Sequence, residues 1–218
     1  MPKPGWGIAL SAAALGTALL LVPAESRATN IRPGTISLGV SADVSTLGGG
    51  SYLARAFDRG RPGWQGHVRY RMRRKFVLGV TFAQQWYRPS ATMPFVASGD
   101  STELERLTVW SAGVEAGKVF GSNEHPVYLL LGAGVWSPTA FAPSTEAYAA
   151  NKPDRIYGSL TLGTEVFLRR SVTADLSLRA LVHSAAETSY PRVGGDSGPT
   201  KLDHEIQLTA GLHFYVLD

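Results

Sequence analysis

The sequence has no cysteine among its 218 residues, which excludes disulfides and thiolate metal sites and leaves the redox compartment undefined. Charged residues are scarce, at 17%, which is low for a soluble surface. No internal apolar run reaches the roughly 18 residues of a membrane-spanning helix, although mean hydropathy is −0.01. A low content of charged residues together with the lack of a long apolar run is typical of a membrane β-barrel, whose apolar residues occupy alternate positions.

The net charge of +4 comes from short basic clusters such as RYRMRRK at 69–75 and RR at 169–170. A nucleic-acid-binding protein would need one basic face and a recognisable module. The sequence contains neither, so we expect no nucleic-acid partner.

The first 28 residues read as an export signal. One lysine precedes an apolar run that continues to about Val22, and small residues follow up to Ala28. This order is typical of a secretory signal peptide, and the alternative is a retained membrane anchor. We expect Sec-type export with cleavage after Ala28, then a short segment at 29–34 and the folded domain at 35–218.

From residue 35 onward, apolar and polar residues alternate with a period of two, which predicts β-strands. The last stretch, HEIQLTAGLHFYV at 204–216, is a clear example. The predicted strands cover 35–45, 64–72, 76–87, about 104–120, 127–136, 155–168, 172–183 and about 202–216.

The predicted connections alternate between long (such as 46–63) and short (such as 73–75). Long loops on one side, short turns on the other and an even strand count are the layout of an outer-membrane barrel. Each strand is long enough to cross a bilayer when tilted. We therefore predict an all-β protein, an eight-stranded antiparallel up-and-down transmembrane β-barrel, with both termini in the periplasm.

The apolar phase decides which side faces outward, because it is almost free of charge. The other phase is rich in glycine and in opposed charges, which suits a narrow barrel that fills its own interior. The alternative is a soluble barrel of the lipocalin type, with the apolar phase lining a pocket. The outward assignment predicts a lumen charge network of Asp43, Arg69, Arg71, Glu115, Glu165, Asp175, Arg179 and Glu205.

Aromatic residues concentrate at the strand ends, as in the girdles of membrane barrels. Tyr128, Phe167 and Tyr215 fall near the same strand ends as Phe76, Phe120 and Phe214, and they are predicted to join the girdle there. Trp136 falls in the inward phase, so a loop or bulge position is considered for it, and a bulge is predicted near Val109. The predicted girdle consists of Trp64, Trp86, Trp110, Phe76, Phe120 and Phe214.

These features resemble the small outer-membrane β-barrel family, of the outer-membrane protein A/X type. The resemblance rests on eight alternating stretches, four long loops and the aromatic-rich last strand HEIQLTAGLHFYVLD. It implies insertion by the barrel-assembly machinery, which reads a terminal aromatic residue in this family. Here Phe214 and Tyr215 are followed by VLD, which departs from the family pattern.

No cofactor or metal site is predicted, because His67, His125, His183, His204 and His213 have no metal-ligand spacing. His183, Ser184 and Glu187 could suggest a lipid A deacylase or acyltransferase. His183 and Ser184 are adjacent, however, and neighbours on a strand point to opposite faces. We expect a catalytic pair to be absent.

Loop one carries Arg55, Arg59 and Arg61, which could pair with lipopolysaccharide phosphates because arginine makes bidentate phosphate contacts. The expected function is non-enzymatic: a structural or surface-interaction protein of the outer membrane that acts through long extracellular loops. A narrow transport path is the alternative. The sequence does not name the extracellular partner.

Overall fold

The computed structural model describes residues 32–49, 54, 57, 59–88, 106–122, 125–141, 155–185 and 201–216. The predicted signal peptide lies outside these residues. The strands are β1 (Ile36–Gly49), β2 (Arg59–Arg71), β3 (Phe76–Arg88), β4 (Arg106–Gly121), β5 (Pro126–Phe141), β6 (Arg155–Arg169), β7 (Val172–Ala185) and β8 (Lys201–Val216).

The eight strands form a closed barrel in chain order. Each strand pairs antiparallel with its sequence neighbours, and β1 closes the barrel by pairing with β8, from Ile36 opposite Val216 to Gly49 opposite Asp203. Closure gives every strand a partner on both sides, so the backbone groups of the barrel wall are satisfied internally. The predicted eight-stranded antiparallel barrel is confirmed.

The two ends of the barrel differ in their connections. The connections at 72–75, 122–125 and 170–171 are short, and we call this the short-turn end. The connections at 50–58, 89–105, 142–154 and 186–200 are longer, and this is the long-loop end. The alternation of connection lengths therefore follows the predicted order.

In a narrow barrel the strand period decides which side chains face out. The apolar phase faces outward, and Leu131 is 66% and Ile156 is 75% exposed. The polar phase is buried inside, with Ser41, Gln65 and Thr209 at 6% or less. This arrangement contradicts the lipocalin alternative, in which the apolar phase would line the interior.

Several predicted boundaries are wrong. Strand β2 begins at Arg59, so Arg59 and Arg61 lie in a strand rather than in loop one. Strand β5 continues to Phe141, which places Trp136 within the strand. Pairing across β3, β4 and β5 runs without a shift past Val109. Apolar residues therefore enter the interior there through ordinary alternation, and no bulge is needed.

Inward-facing glycines make room for large side chains from other strands. A Cβ atom at Gly163 would lie 2.2 Å from the Tyr128 ring, and one at Gly113 would lie 2.2 Å from the Tyr157 hydroxyl oxygen. Both distances are far below van der Waals contact. Glycine on one strand thus leaves room for an aromatic side chain from the adjacent strand or from the one beyond it.

Candidate functional site in the barrel interior

The structure places the charged residues of the predicted lumen network inside the barrel, each at most 8% exposed. Arg155 and Asp203, which the sequence analysis did not include, are buried there as well. They lie at the long-loop ends of β6 and β8, where the alternation in the predicted strands also points them inward. The buried network consists of Asp43, Arg69, Arg71, Glu115, Arg155, Glu165, Asp175, Arg179, Asp203 and Glu205.

Four residues in the half near the short-turn end form what we call the acid–histidine cluster: His67, Glu165, Asp175 and His213. His213 Nδ1 lies 3.2 Å from Glu165 Oε1, and its Nε2 lies 3.7 Å from Asp175 Oδ2. The Nε2 atoms of His67 and His213 are 2.8 Å apart. Strands β2, β6, β7 and β8 each supply one member.

Hydroxyl groups orient the carboxylates of the cluster. The Tyr215 hydroxyl and the Thr173 hydroxyl, the latter at 3.1 Å, both donate to Glu165 Oε2. The Tyr128 hydroxyl donates to Asp175 Oδ2 at 2.5 Å. Donors on Oε2 leave Glu165 Oε1 directed at His213.

An ion pair borders the cluster. Arg69 Nε donates to Glu115 Oε1 at 2.5 Å, and both side chains are buried. The Arg69 guanidinium also lies over the Tyr128 ring, 4.6 Å from its centroid. A buried arginine therefore has a carboxylate on one side and an aromatic face on the other, which compensates its loss of hydration.

The half near the long-loop end carries a second polar group of residues around Trp136. Its indole nitrogen donates to Glu205 Oε2 at 3.0 Å, and its ring stacks on His183 with centroids 4.1 Å apart. Arg155 pairs with Asp203 at 3.4 Å. Trp136 is therefore a fully buried lumen residue, and the loop or bulge position considered for it is wrong.

A buried apolar cluster fills the interior at the long-loop end. Phe57, which precedes β2, packs here at 1% exposure. The members of the cluster are Leu47, Ala54, Phe57, Tyr87, Leu107, Val109, Trp136, Tyr157 and Leu181.

At the opposite end, a cavity of about 20 Å³ is lined by residues that include Arg71, Glu165 and Tyr215. That volume accommodates about one water molecule. The described interior is therefore packed with side chains at one end and holds a small cavity at the other, which is the filling expected of a narrow barrel.

The proposed catalytic combination does not form a pair. His183 is buried inside, whereas Ser184 is exposed on the outer face of the same strand. Glu187 lies outside the described residues. Alternation along β7 separates the two side chains, so His183 cannot activate the Ser184 hydroxyl.

On the outer face, Trp64, Phe82 and Trp110 form an aromatic group toward the long-loop end. Their ring centroids are 5.2–6.3 Å apart, and the Trp64 indole donates to Gln84 Oε1 at 3.1 Å. Gln84 breaks the apolar phase of β3 and thus has a hydrogen-bonding partner on that face. Trp86 shares this outward phase.

Near the short-turn end, Phe76, Phe120 and Phe214 face outward, each more than two-fifths exposed. Tyr128 and Phe167 are instead buried inside, and the Tyr215 hydroxyl reaches the interior carboxylate of Glu165. Adding these three to the outer girdle was wrong, because their strand phase points them inward.

Of the three arginines assigned to lipopolysaccharide, Arg55 lies outside the described residues. Arg59 pairs with Arg88 and Arg61 with Trp86 in the β2–β3 register. Arg61 and Arg88 are both exposed. Arg61 therefore stands at the long-loop end of the outer surface, next to the aromatic group.

The structure is a closed eight-stranded barrel with an apolar outer surface and a filled, charged interior. The fold is that of the small eight-stranded outer-membrane barrels. Among the described residues, no helix is long and apolar enough to cross a membrane. No protein-family model and no curated protein sequence matches the chain.

Solved structures of the same fold match more than four-fifths of the chain. Neisserial surface protein A aligns with a TM-score of 0.56 at 14% identity, over 83% of this chain and 98% of that chain. OprG from Pseudomonas aeruginosa gives 0.52 at 9% identity, over 86% and 98%. The outer membrane protein AlkL, determined in lipid bilayers, gives 0.50 at 12% identity, over 89% and 95%. Because the sequence identities are only 9–14%, the likeness to these structures shows the fold alone.

Proposed function

We propose that this chain is an integral outer-membrane protein with a structural or surface-interaction role. The short-turn end and both termini face the periplasm, and the connections at the long-loop end face the exterior. The barrel itself is a rigid support, and the long connections supply the surface that partners contact.

The observation that carries this proposal is the outward apolar phase around the whole barrel. Exposed apolar residues occur on all eight strands, from Leu38 on β1 to Leu212 on β8. In water such a surface would be far larger than the apolar patches that monomeric soluble proteins expose. Hydrocarbon tails solvate it without cost, and the interior charges are shielded from them.

The outer surface at the long-loop end supports contact with lipopolysaccharide. Arg61 and Arg88 stand beside the outer aromatic group, at the level where a membrane-embedded barrel meets phosphate groups. Arg59 shares the same strand end, and Arg55 precedes it in the chain. The aromatic-rich β8 strand supports insertion by the barrel-assembly machinery.

A migration experiment tests the membrane assignment. The mature protein, folded in detergent, is run on a denaturing gel with and without boiling. We expect faster migration of the unboiled sample, because a closed barrel resists the detergent. A mature protein that stays monodisperse in buffer without detergent would refute the proposal.

Orientation can be tested cleanly because the chain has no native cysteine. Ser144→Cys lies in a long connection, and Ser122→Cys in a short turn serves as the matched control. We expect a membrane-impermeant maleimide to label Ser144→Cys on intact cells, and Ser122→Cys only after permeabilisation. The reverse pattern would overturn the topology.

Deletion within the connection at 89–105 tests the surface role. The shortened protein should keep heat-modifiable migration and lose binding of whole cells to their ligands or host surfaces. Unchanged binding after shortening each of the four long connections would contradict a surface-interaction role. Lipid A mass that is unaltered on overexpression would agree with a non-enzymatic protein.

A further inference from the structure

We propose that the acid–histidine cluster is a binding site for one divalent transition-metal ion, of the zinc class, in the barrel interior. This goes beyond the surface role, because the four residues of the cluster are buried inside the barrel. The ligands are His67, Asp175 and His213, and Glu165 faces the other nitrogen of the His213 ring.

The donor set suits such an ion. Glu165, Asp175 and His213 are all buried and each offers a ligand atom within 4.8 Å of the others. His67 adds a second imidazole, with Nε2 2.8 Å from His213 Nε2. Imidazole favours zinc, copper, iron and nickel, whereas sites for magnesium and calcium are built from oxygen alone.

The spacing of the donors is also suitable. Ligand atoms about 2.0–2.2 Å from a tetrahedral zinc ion are roughly 3.3 Å apart. The separation of 2.8 Å between the two Nε2 atoms and that of 3.7 Å between His213 Nε2 and Asp175 Oδ2 bracket this value. Small side-chain rotations would bring these three atoms to one centre, and Glu165 Oε1, 3.2 Å from His213 Nδ1, would hold the ring from outside the ion.

Among the described residues of the interior, buried acidic side chains outnumber buried basic side chains, so a bound cation would reduce the imbalance. The buried side chains include six carboxylates and four guanidinium groups. With every group ionised and the histidines neutral, the described interior carries two excess negative charges. Unpaired buried charge is costly, and one divalent ion would restore neutrality. The six carboxylates are Asp43, Glu115, Glu165, Asp175, Asp203 and Glu205.

A protonated His213 is the competing way to neutralise the carboxylates. That arrangement requires a linear hydrogen bond from Nδ1 to Glu165. The oxygen is 3.2 Å away, but Nδ1 has no hydrogen bond of acceptable geometry, and Nδ1 of His67 is also unpartnered. Both rings are more than nine-tenths buried, so the imperfect contact between His213 Nδ1 and Glu165 argues against a charged His213.

The surroundings resemble a prepared metal site. Ligands in such sites are held by an outer layer of hydrogen bonds. Tyr128 holds Asp175 in this way, and Glu165, itself held by Tyr215 and Thr173, lies against the His213 ring. Glu165 also lines the cavity at the short-turn end. Bound metal would tie β2, β7 and β8 together across the lumen.

The test uses the full mature chain, without a histidine tag, refolded from denaturant into detergent with and without Zn²⁺. Metal content of the heat-modifiable barrel is measured after equilibrium dialysis. We expect one zinc per wild-type barrel and almost none in His213→Gln or Asp175→Asn. His183→Gln, which changes a buried imidazole outside the cluster, is the matched control and should retain the ion.

Tyr215→Phe removes only an orienting hydroxyl and should weaken zinc binding about 10- to 100-fold. Should His213→Gln fail to refold, His67→Gln provides the same comparison, and Co²⁺ bound to the wild type should give the visible absorption of a four-coordinate site with imidazole ligands. Mg²⁺ and Ca²⁺ should not compete.

A folded wild-type barrel without zinc would overturn the proposal, as would a folded cluster variant that binds zinc like the wild type. Either result leaves the membrane assignment intact, because heat-modifiable migration is scored on the same samples. A wild type soluble without detergent would instead overturn the proposed function.

Discussion

Arg69 on β2 and Glu115 on β4 form a buried ion pair across β3, directly over Gly79. A Cβ atom at Gly79 would lie 3.0 Å from Glu115 Oε1 and 3.1 Å from Arg69 Cγ. The absence of a side chain on β3 therefore lets two residues on non-adjacent strands meet at 2.5 Å.

Removing one partner of this pair should destabilise the barrel. Glu115→Leu leaves the Arg69 guanidinium buried without its carboxylate, and we expect a loss of about 3–5 kcal/mol in the free energy of unfolding. Denaturant unfolding in phospholipid vesicles, followed by tryptophan fluorescence, measures it.

The double variant Arg69→Met, Glu115→Leu is the control for that experiment. Both charges are then absent, and an apolar pair should be close to neutral or stabilising. A double variant as unstable as Glu115→Leu would mean that packing, rather than the uncompensated charge, causes the loss.

Replacing a glycine of β6 by alanine should lower the stability of the barrel only where the glycine faces inward. Gly163→Ala places a methyl group against the Tyr128 ring, and overpacking of this kind costs about 1–3 kcal/mol. Gly158→Ala on the same strand meets nothing within 4 Å and should be nearly neutral. Equal effects in the same unfolding assay would contradict the inward assignment of Gly163.

Charge on the outer surface should be costly in mid-strand and tolerated near the end. Leu131→Arg, at a position that is 66% exposed, should lower the free energy of unfolding in vesicles by about 2–4 kcal/mol. Met72→Arg, at the short-turn end, should cost only about 0–1 kcal/mol. A neutral Leu131→Arg would argue strongly against contact with lipid.

The filled interior should not conduct. Wild-type protein in planar bilayers should show no stable single-channel steps, because Phe57, Trp136 and Leu181 pack together at the long-loop end. Regular steps from pure wild-type protein would favour the transport alternative.

Much of the architecture was predictable because it depends on local pattern. The period of two in Ile206, Leu208 and Leu212 identifies a strand and its apolar face from a few neighbouring residues. The same phase assigns Arg69 and Glu165 to the interior, where the structure places them. Strand ends were less predictable: Arg59 and Phe141 extend the strands beyond their alternating parts, because pairing with a neighbour continues where the apolar pattern stops.

Contacts inside the barrel depend on information that no local pattern carries. His67 and His213 are 146 positions apart, and Glu165 and Asp175 come from two further strands, so their spacing along the chain has no metal-site signature. Trp136 falls in the inward phase, but a loop or bulge position was considered for it, and neither its stacking partner His183 nor its acceptor Glu205 could be named from the sequence.

The sequence by itself thus determined the strands, their number, their connections and the side on which each residue lies, because alternation is a property of neighbouring residues. Only the tertiary structure decided which inward side chains meet. The stagger of eight tilted strands around the closed wall sets the height of every residue in the lumen, and that height is fixed by closure of β1 on β8.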